Sequence, residues 1–256
     1  MAREPTWTGY AERMSVRRRL LRVTVLLVSL SCSTPQPTPG VVRGRPGERL
    51  ASLPGPMPGF GPFDTFSDAL MAACPVILSQ PHATAGRKGA QDFNVRWRIS
   101  KEYCAWLYYT PVGKYEMSML TDQSAQDDLD RRRSCLLPET VDDARFSPGS
   151  LKYVFALHNH PYEGHLSDGD LRMIVSMGRV HGWVMELGGR KVPLSIVAFF
   201  SNSDDLDHPS CDGFFQYIPV TGELKKWTGE ARGGWRQEVL GTVTWQDETH
   251  YRIDEK

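Results

Sequence analysis

The segment LKYVFALHNHPYEGHLSDGDLRMIVSMGRVHG, residues 151–182, carries the clearest structural pattern in the chain. Residues 151–160 are mostly apolar and rich in strand-forming side chains, which predicts a buried strand that ends before Pro161. Residues 170–182 have apolar side chains at helical spacing, which predicts a helix. The segment is therefore expected to form a strand, a short polar loop and a helix.

His158 and His160 stand two residues apart at the end of the predicted strand. Alternate side chains of a strand point to the same face, so both imidazoles are expected on one side, where they can share a metal ion. A single strand histidine is more often a core residue with a hydrogen-bonding partner. Two unpartnered imidazoles among apolar residues, however, would cost roughly a few kcal/mol. The pair therefore favours metal ligands.

The helix that follows is expected to begin at Ser167, and the sequence from Ser167 to Asp170 has the form of a capping box. Helix capping alone explains Ser167, Asp168 and Asp170, because Ser and Asp commonly begin helices. The turn from strand to helix would also bring a carboxylate to the two imidazoles. Two histidines and one aspartate, with a fourth position open for water, form the ligand set of a catalytic zinc site.

The pattern HxHP followed by SxxD resembles the JAMM, or MPN-plus, zinc metallopeptidases. It is most similar to JAB-like domains of secreted bacterial proteins, and the resemblance covers roughly residues 63–227. The resemblance implies that His158, His160 and Asp170 bind Zn²⁺ and that Ser167 supports the oxyanion of the transition state. It further implies hydrolysis of a peptide or isopeptide bond.

The resemblance also implies an upstream glutamate that acts as general acid and base. Glu102 is favoured because it begins the predicted aromatic strand at residues 102–110, which turns by a hairpin into the next strand. Glu116 is the second choice, and Glu139 lies in a polar segment. Glu163 lies within the loop itself, too near the ligands to take this role.

The match departs from the family pattern in two respects. The interval from His160 to Asp170 is one residue shorter than usual, which leaves Asp168 as a less favoured alternative ligand. His165 and Glu163 also add potential ligands to the loop, and these can alter metal occupancy.

The remaining sequence predicts a single α+β domain with a curved, mostly mixed β-sheet packed by helices. The resemblance implies the cytidine-deaminase-like, JAB-type version of this fold. A leading helix is expected within residues 63–78, with Asp64 or Ser67 as its N-cap and Pro75 as its end. Polar residues 121–150 are expected to form a loop or loose insertion that covers a site. Further strands are expected at residues 94–100, 102–110, 114–120, 191–202, 211–229 and 241–246.

Residues 1–32 have the layout of a secretory signal peptide, because a basic cluster precedes an apolar run, 23–30, that is too short to cross a bilayer. Cys32 resembles the lipidation site of bacterial lipoproteins. The prediction is an exported periplasmic or outer-membrane lipoprotein, which can extend to the cell surface. Ordinary secretion and an uncleaved anchor are the alternatives, and Met14 is a second candidate for the translation start.

Residues 33–62, which are rich in Pro and Gly, are expected to form a disordered tether, and residues 63–256 the JAB-like metallohydrolase domain. Residues 1–31 contain six arginines and two acidic residues, so the remaining chain has 24 basic and 28 acidic residues, a net charge of −4. This balance argues against a nucleic-acid-binding protein. The expected partners are a peptide or protein substrate and a membrane, through the lipid on Cys32, and the oligomeric state is left open.

Four further cysteines, Cys74, Cys104, Cys135 and Cys211, suit one or two disulfides in an oxidising compartment. Their pairing is left open, and buried free thiols are the alternative for any one of them. Tryptophans are interpreted as sheet core and rim rather than as a ligand platform; they include Trp97, Trp106, Trp183 and Trp227.

Other hydrolase classes fit the sequence less well. A (β/α)₈ barrel needs more alternating strands and helices after His160 than the chain provides, and the HExxH, GxxxxGK[ST] and GxGxxG motifs are absent from the sequence. Two alternatives remain within the resemblance. One is a non-catalytic JAB-like binding domain, and the other is an intercellular toxin or effector lipoprotein that uses the same site.

Overall fold

The computed structural model describes residues 38–45, 47–126, 133–230 and 234–256. The predicted signal peptide and its lipidation site, Cys32, lie outside these residues. One compact unit comprises Gly40–Lys256, and a separate unit, Met1–Pro39, lies almost wholly outside the described residues. The compact unit is an α+β body with a mixed sheet, which confirms the predicted fold class.

The described residues contain three α-helices: α1 (Phe66–Leu78), α2 (Phe93–Ile99) and α3 (Asp168–His181). No helix among the described residues is long and apolar enough to cross a membrane. The strands are β1 (Val41–Val42), β2 (Ser52–Gly55), β3 (Cys104–Tyr109), β4 (Tyr115–Met117), β5 (Leu120–Thr121), β6 (Ser124–Gln126), β7 (Arg133–Cys135), β8 (Thr140–Asp143), β9 (Lys152–Asn159), β10 (Val184–Leu187), β11 (Arg190–Pro193), β12 (Ser195–Phe200), β13 (Gly213–Ile218), β14 (Glu223–Gly229), β15 (Trp235–Trp245) and β16 (Tyr251–Glu255).

The main sheet has ten strands in the order β1-β5-β3-β9-β12-β13-β14-β15-β16, with β4 paired to β3. Strand β9 lies between β3, to which it is antiparallel, and β12, to which it is parallel. Smaller two-stranded sheets are formed by β2 with β8, by β6 with β7 and by β10 with β11. The strand that carries the two histidines is therefore central in the sheet.

Two apolar cores lie on opposite faces of the sheet. One contains the buried face of α1 and the other contains that of α3. On β3, Leu107 faces the α1 core and Trp106 the α3 core; on β9, Leu157 and Ala156 divide in the same way. Because side chains alternate along a strand, the residue two positions after Ala156 falls on the α3 face.

Helix α1 differs from its prediction at both ends. Its N-cap is Thr65, whose hydroxyl accepts a hydrogen bond from the backbone N–H of Asp68, and Pro75 lies inside the helix instead of ending it. An internal proline costs about 3 kcal/mol. Burial of Ile77 and Leu78 beyond it contributes about 1.5–3 kcal/mol for each side chain, which is enough to continue the helix.

Residues 94–100, predicted as a strand from alternating apolar residues, form helix α2 instead. Val95 and Ile99 are 62% and 52% exposed, so the alternation does not mark a buried sheet face. The neighbouring β3 already pairs with β4, β5 and β9, and this helix has no place in the sheet. The prediction was wrong because a pattern of period two forms a strand only where a pairing edge is available.

The tether prediction for residues 33–62 is wrong for most of the described part of that segment. Strand β1 pairs with β5 and β2 pairs with β8, and Leu53, Met57 and Phe60 are buried. The average composition of residues 33–62 gives no sign of these few apolar residues, each of which packs in a core. The compact unit therefore begins near Gly40 rather than at Phe63.

The polar segment 121–150 is more ordered than predicted in its described parts. It supplies β6, β7 and β8, and Leu137, Val141 and Asp143 are buried. None of its described residues lines the cavity beside the two histidines, so the described residues do not form the expected cover. Strands β6 and β7 pair antiparallel, and composition alone cannot distinguish such a pair from a loose loop.

Most of the other predicted strands are confirmed with adjusted bounds. Residues 102–110 and 114–120 contain β3 and β4, which form the expected hairpin. Residues 191–202 divide into β11 and β12, and 211–229 into β13 and β14 around the expected turn. Residues 241–246 are only the end of β15.

The part of the chain that the structure describes contains two disulfides. One joins Cys74 in α1 to Cys211 just before β13, and the other joins Cys104 in β3 to Cys135 in β7. Of the one or two disulfides predicted from the sequence, two are found, and the structure supplies the pairing that the sequence left open. The second disulfide attaches the polar segment to the strand beside the histidines.

Candidate metal centre

His158 and His160 lie at the end of β9 with their rings close together. The ring centroids are 4.9 Å apart, and the rings meet at 70°. His158 is paired across the sheet with Cys104 of β3, and the backbone N–H of His160 donates to the carbonyl of Phe199 in β12. Both neighbours of β9 thus fix the backbone that carries the imidazoles, and the predicted placement on one face is confirmed.

Asp170 reaches the histidines from the first turn of α3. Its Oδ1 is 3.3 Å from Nε2 of His158 and its Oδ2 is 3.4 Å from Nε2 of His160. The predicted capping box is present: the Ser167 side chain accepts from the backbone N–H of Asp170, and the Asp170 carboxylate accepts from the backbone N–H of Ser167 at 2.7 Å. The cap holds the carboxylate against the imidazoles.

The three side chains form a buried ligand set. His158, His160 and Asp170 are 1%, 8% and 3% exposed, and one potential ligand atom from each lies within 4.8 Å of the others. This is the group of histidine, cysteine and carboxylate residues with metal-binding geometry among the residues that the structure describes. The triad predicted from the sequence can hold a metal ion.

The hydrogen bonding of His158 is consistent with a ligand. Neither of its ring nitrogens makes a hydrogen bond with any described residue, although both are buried. A buried polar atom without a partner costs roughly 1–3 kcal/mol. A cation between His158 and Asp170 would bind the lone pair of Nε2, which faces Oδ1 of Asp170, and remove the cost for that atom. The donor set therefore fits a bound divalent cation.

The hydrogen bonding of His160 determines which of its ring nitrogens can bind a metal ion. Its Nδ1 lies 2.7 Å from the carbonyl oxygen of Gly164, which can only accept, so Nδ1 carries a hydrogen. In the neutral ring, Nε2 then has the free lone pair, and it is Nε2 that faces Asp170. Histidine ligands are commonly oriented by such a bond from the other ring nitrogen.

The charges of the cluster are strongly coupled. Burial alone would lower the pKa of His160, but the hydrogen bond and charge of Asp170, together with the charge of Glu102, raise it to about 9. Burial acts to raise the pKa of Asp170, but His158 and His160 hold it well below its ordinary value. Asp170 is therefore a carboxylate at neutral pH, and cations are attracted to this point.

Glu102 is the one of the three upstream glutamate candidates that lies at this cavity. It is buried and lines the cavity together with His160 and Ser167. It precedes β3 by two residues, so the prediction that it begins the strand is slightly wrong. Glu116 instead accepts hydrogen bonds from Arg145, and Glu139 lines a different cavity near β8.

The Ser167 hydroxyl is engaged with the ligand set. It donates to Oδ2 of Asp170 at 2.8 Å and accepts from the backbone N–H of the same residue. Ser167 also lines the cavity. Its position is therefore suited both to orienting Asp170 and, after rotation of the hydroxyl hydrogen, to donating into the cavity.

The other loop residues that carry potential ligand atoms make different contacts, although His165 and Asp168 also line the cavity. Asp168 is exposed and accepts a hydrogen bond from the Tyr251 hydroxyl. Glu163 accepts from Lys226 and Asn202, and His165 packs against a phenylalanine ring. None of these three belongs to the buried ligand set.

The cavity beside the cluster has a volume of about 340 Å³. Its walls include Trp97 of α2 and the loop residues Tyr162 and Leu166, while Glu102 and His160 lie on its polar side. The sequence interpretation assigned Trp97 to core or rim and so missed its place here. Recognition of residues 94–100 as a helix would have been needed to find it.

Asn159 was also missed. It lies between the two histidines, is fully buried, and faces the α1 core, where its neighbours at alternate positions are apolar. An amide at a core-facing position predicts a hydrogen-bonding role, since buried polar groups need partners. That signal was present in the sequence.

The site combines the buried ligand set of two imidazoles and one carboxylate with a cavity that His160, Glu102 and Ser167 line. Such a set can hold a cation, exchange protons with a bound molecule and donate a hydrogen bond. No family model, curated protein or solved structure matches this chain.

Proposed function

We propose that the protein is a zinc-dependent hydrolase of peptide or isopeptide bonds, of the JAMM type and with the JAB-type fold. The observation that carries the proposal is the convergence of His158, His160 and Asp170 in one buried ligand set. Of these, His160 lines a cavity that Glu102 also lines. The proposal extends to an exported bacterial protein anchored by lipid on Cys32.

The donor set supports zinc over other divalent cations. Two imidazole nitrogens and one carboxylate are typical ligands of Zn²⁺, whereas Mg²⁺ and Ca²⁺ are bound mainly through oxygen. A bound cation takes the place of the proton that the raised pKa of His160 favours, and the Asp170 carboxylate supplies a negative charge to it. When bound, zinc acts as a Lewis acid on the scissile carbonyl and makes water more acidic.

Glu102 is the general base and acid in this proposal. Its carboxylate accepts a proton from the attacking water and then delivers it to the leaving amine. The position at the cavity and the electrostatic coupling to His160 support this role. Proton transfer by a positioned side chain contributes about 10²–10⁴-fold to the rate.

Ser167 has two roles in the proposal. Its backbone and hydroxyl hold the Asp170 carboxylate in the orientation seen in the capping box. Rotation of the hydroxyl hydrogen toward the cavity supplies a donor for the oxyanion of the tetrahedral intermediate. A well-placed donor of this kind contributes about 2.7–4 kcal/mol.

The two disulfides support the proposed export. Disulfides form and persist mainly in oxidising compartments and are rare in the cytosol. The pair Cys74–Cys211 joins helix α1 to the segment before β13, and the pair Cys104–Cys135 joins β3 to β7. An exported domain gains stability from such links.

The proposal is tested with the purified full chain. Its metal content is measured by mass spectrometry, and its activity is measured on a panel of peptides, isopeptide-linked proteins and peptidoglycan stem peptides. We expect about one zinc per chain, and Glu102→Gln should lower kcat by about 10²–10⁴-fold while zinc is retained.

Glu163→Gln is the matched control for that experiment. It also neutralises a carboxylate in the same region, but one that binds Lys226 and Asn202 rather than facing the ligand set. Its kcat should stay within about threefold of the wild-type value. A wild-type protein without zinc, or a Glu102→Gln protein with undiminished turnover, would contradict the proposal.

A further inference from the structure

The amide side chain of Asn159 binds the backbone on both sides of Glu102. Its Oδ1 accepts from the backbone N–H of Tyr103 at 2.7 Å, and its Nδ2 donates to the carbonyl of Lys101 at 2.9 Å. The same Nδ2 also donates to the carbonyl of Ala83 at 2.5 Å. One side chain thus links the strand of the metal ligands to the segment that carries Glu102.

These bonds occur where the strand pairing between β3 and β9 ends. The last pair in the ladder is Cys104 with His158. At the next position, Tyr103 would face Asn159, and there the Asn159 side chain takes the place of a backbone partner. The segment before β3 is therefore held by a side chain at the point where the sheet no longer fixes it.

We refer to the hydrogen bonds from the Asn159 side chain to the backbone of Lys101 and Tyr103 as the clamp. The clamp determines the direction in which Glu102 points. Tyr103 enters the α1 core, where its hydroxyl donates to the carbonyl of Pro81 at 2.8 Å. Because neighbouring side chains in an extended segment point to opposite faces, Glu102 points to the other face, on which the cavity and His160 lie. Bonds to both Lys101 and Tyr103 fix the backbone from which Glu102 projects.

A second set of hydrogen bonds, between backbone groups, makes the clamp rigid. The backbone N–H of Lys101 donates to the carbonyl of His82 at 2.8 Å, and that of Ala85 donates to the carbonyl of Pro161 at 2.6 Å. The segment around Ala83 thus contacts both the residue before Glu102 and the residue after His160. All polar atoms of the Asn159 side chain are used, and the residue is fully buried.

We propose that Asn159 is a positioning residue that holds the Glu102 carboxylate in its catalytic orientation. The inference rests on the proposed hydrolase function and adds to it a residue that touches neither cation nor substrate. Asn159 lies on the opposite face of β9 from the ligands, so its loss should leave zinc binding unchanged. Its loss should act on kcat, because displacement of a catalytic group by about 1 Å can cost about 10²-fold in rate.

Two variants remove the clamp with different consequences for packing. Asn159→Leu keeps a similar volume, while Asn159→Ser leaves a small space in which water can pair the freed backbone groups. We expect kcat to fall by about 10–100-fold in each variant that keeps the wild-type circular dichroism, with KM within about threefold and zinc content unchanged. Tyr103→Phe is the control, since it removes a hydrogen bond of the same segment but leaves the clamp intact.

A double-mutant cycle with Glu102→Gln separates positioning from general loosening of the fold. If Asn159 acts through Glu102, Asn159→Ser should change kcat by no more than about twofold in the Glu102→Gln background. Equal losses in both backgrounds, or a kcat of both Asn159 variants within about threefold of wild type, would overturn the inference.

Hydrogen exchange distinguishes failure of this inference from failure of the proposed function. The backbone amide of Tyr103 should exchange at least about tenfold faster in Asn159→Ser than in Tyr103→Phe, while amides in the middle of β9 stay protected. Unchanged exchange at Tyr103 overturns the clamp, whether or not the protein is active. A zinc-loaded wild type that hydrolyses nothing in the panel, with accelerated exchange at Tyr103 in the variant, overturns the proposed function alone.

Discussion

Strand β3 runs between two buried polar clusters whose charges are satisfied in different ways. Near its end, Tyr108 donates to Asp143 at 2.9 Å, and Arg145 donates to both Asp143 and Glu116. The guanidinium beside Asp143, opposed by burial and assisted by Tyr108, holds the pKa of that carboxyl below its usual range. Each buried carboxylate of this cluster therefore has a protein cation as its partner.

In the cluster at the start of β3, the partners of Asp170 are the imidazoles of His158 and His160 rather than a guanidinium. Asp170 and Glu102 are buried there beside His158 and His160, and the ring nitrogens of His158 form no hydrogen bond with the described residues. Isolated buried charges are costly unless they are paired or coordinate metals. The two clusters both contain buried carboxylates but differ in the partners of these groups. In the arginine cluster, the guanidinium of Arg145 pairs with Glu116 and Asp143, whereas in the histidine cluster two imidazoles face Asp170.

The largest expected difference between the clusters is in their response to zinc. Excess zinc at about 100 times its Kd should stabilise the wild type by about 2.7 kcal/mol, which corresponds to a rise in Tm of about 5–10 °C for a chain of this size. His158→Ala should abolish the rise, because loss of a direct ligand should exceed the 10–100-fold cost in affinity of losing an outer partner. Differential scanning fluorimetry with zinc and with a chelator measures both effects.

His165→Ala is the control for this prediction. His165 lies in the same loop but is exposed and packs on Phe215 outside the ligand set. Its variant should keep the full rise in Tm. If it lost the rise while His158→Ala kept it, the ligand assignment would be wrong.

A change in stability of comparable size is expected when Arg145 is removed from the arginine cluster. Arg145→Met leaves Glu116 and Asp143 buried without their cation. Removing one partner of a fully buried pair costs about 3–5 kcal/mol, and because the Arg145 side chain is 46% exposed we expect a loss of about 2–3 kcal/mol at pH 7. Urea unfolding measures the loss, and zinc content should not change.

The pH dependence of that loss sharpens the prediction. The pKa of Asp143 is lowered in the folded protein from an ordinary value of 3.8, mainly by Arg145, so the ion pair stabilises the fold above that value. The stabilisation is lost as the pH falls through the lowered folded pKa. The difference between wild type and Arg145→Met should therefore be largest at neutral pH and shrink below pH 3.8. A difference that grows with acidity would exclude this ion pair as its source.

The histidine cluster was more predictable from the sequence than the arginine cluster. His158, His160 and Asp170 lie within one strand–loop–helix unit, and strand alternation with a helix cap determines their local geometry. Arg145 meets Glu116 across a separation of 29 residues, and no local periodicity encodes that contact. Short-range sites can be read from a sequence, whereas sites assembled across distant segments need the topology.

The same distinction between short-range and long-range contacts explains the errors in the fold prediction. Strands β1 and β2 have little intrinsic pattern, and the alternating pattern of α2 is typical of a strand rather than a helix. The conformations of all three depend on which sheet edges are free and on which apolar side chains the cores bury. Pro75 shows the reverse case, in which a local signal was overruled by burial of the residues after it. Glu102 was selected correctly as the glutamate at the cavity, although the helix before it was predicted as a strand.

The smallest effect is expected from Asp168→Asn, which tests the register of the ligand set. The interval from His160 to Asp170 is one residue shorter than the resembling family uses, so Asp168 is the competing ligand. In the structure Asp168 is exposed at the first turn of α3 and binds Tyr251, whereas Asp170 is buried between the imidazoles. Its variant should lose only the favourable charge at the helix N-terminus, about 0.3–1 kcal/mol of stability.

Zinc affinity decides between the two aspartates. Asp168→Asn should keep the Kd for zinc within about threefold of wild type, while Asp170→Asn should weaken it by more than about 100-fold, since only the second removes a direct ligand. Competition with a chromophoric chelator measures both constants. If Asp168→Asn weakened zinc binding more than Asp170→Asn did, the ligand would be Asp168. That carboxylate is exposed at the start of α3 and is not buried between the imidazoles.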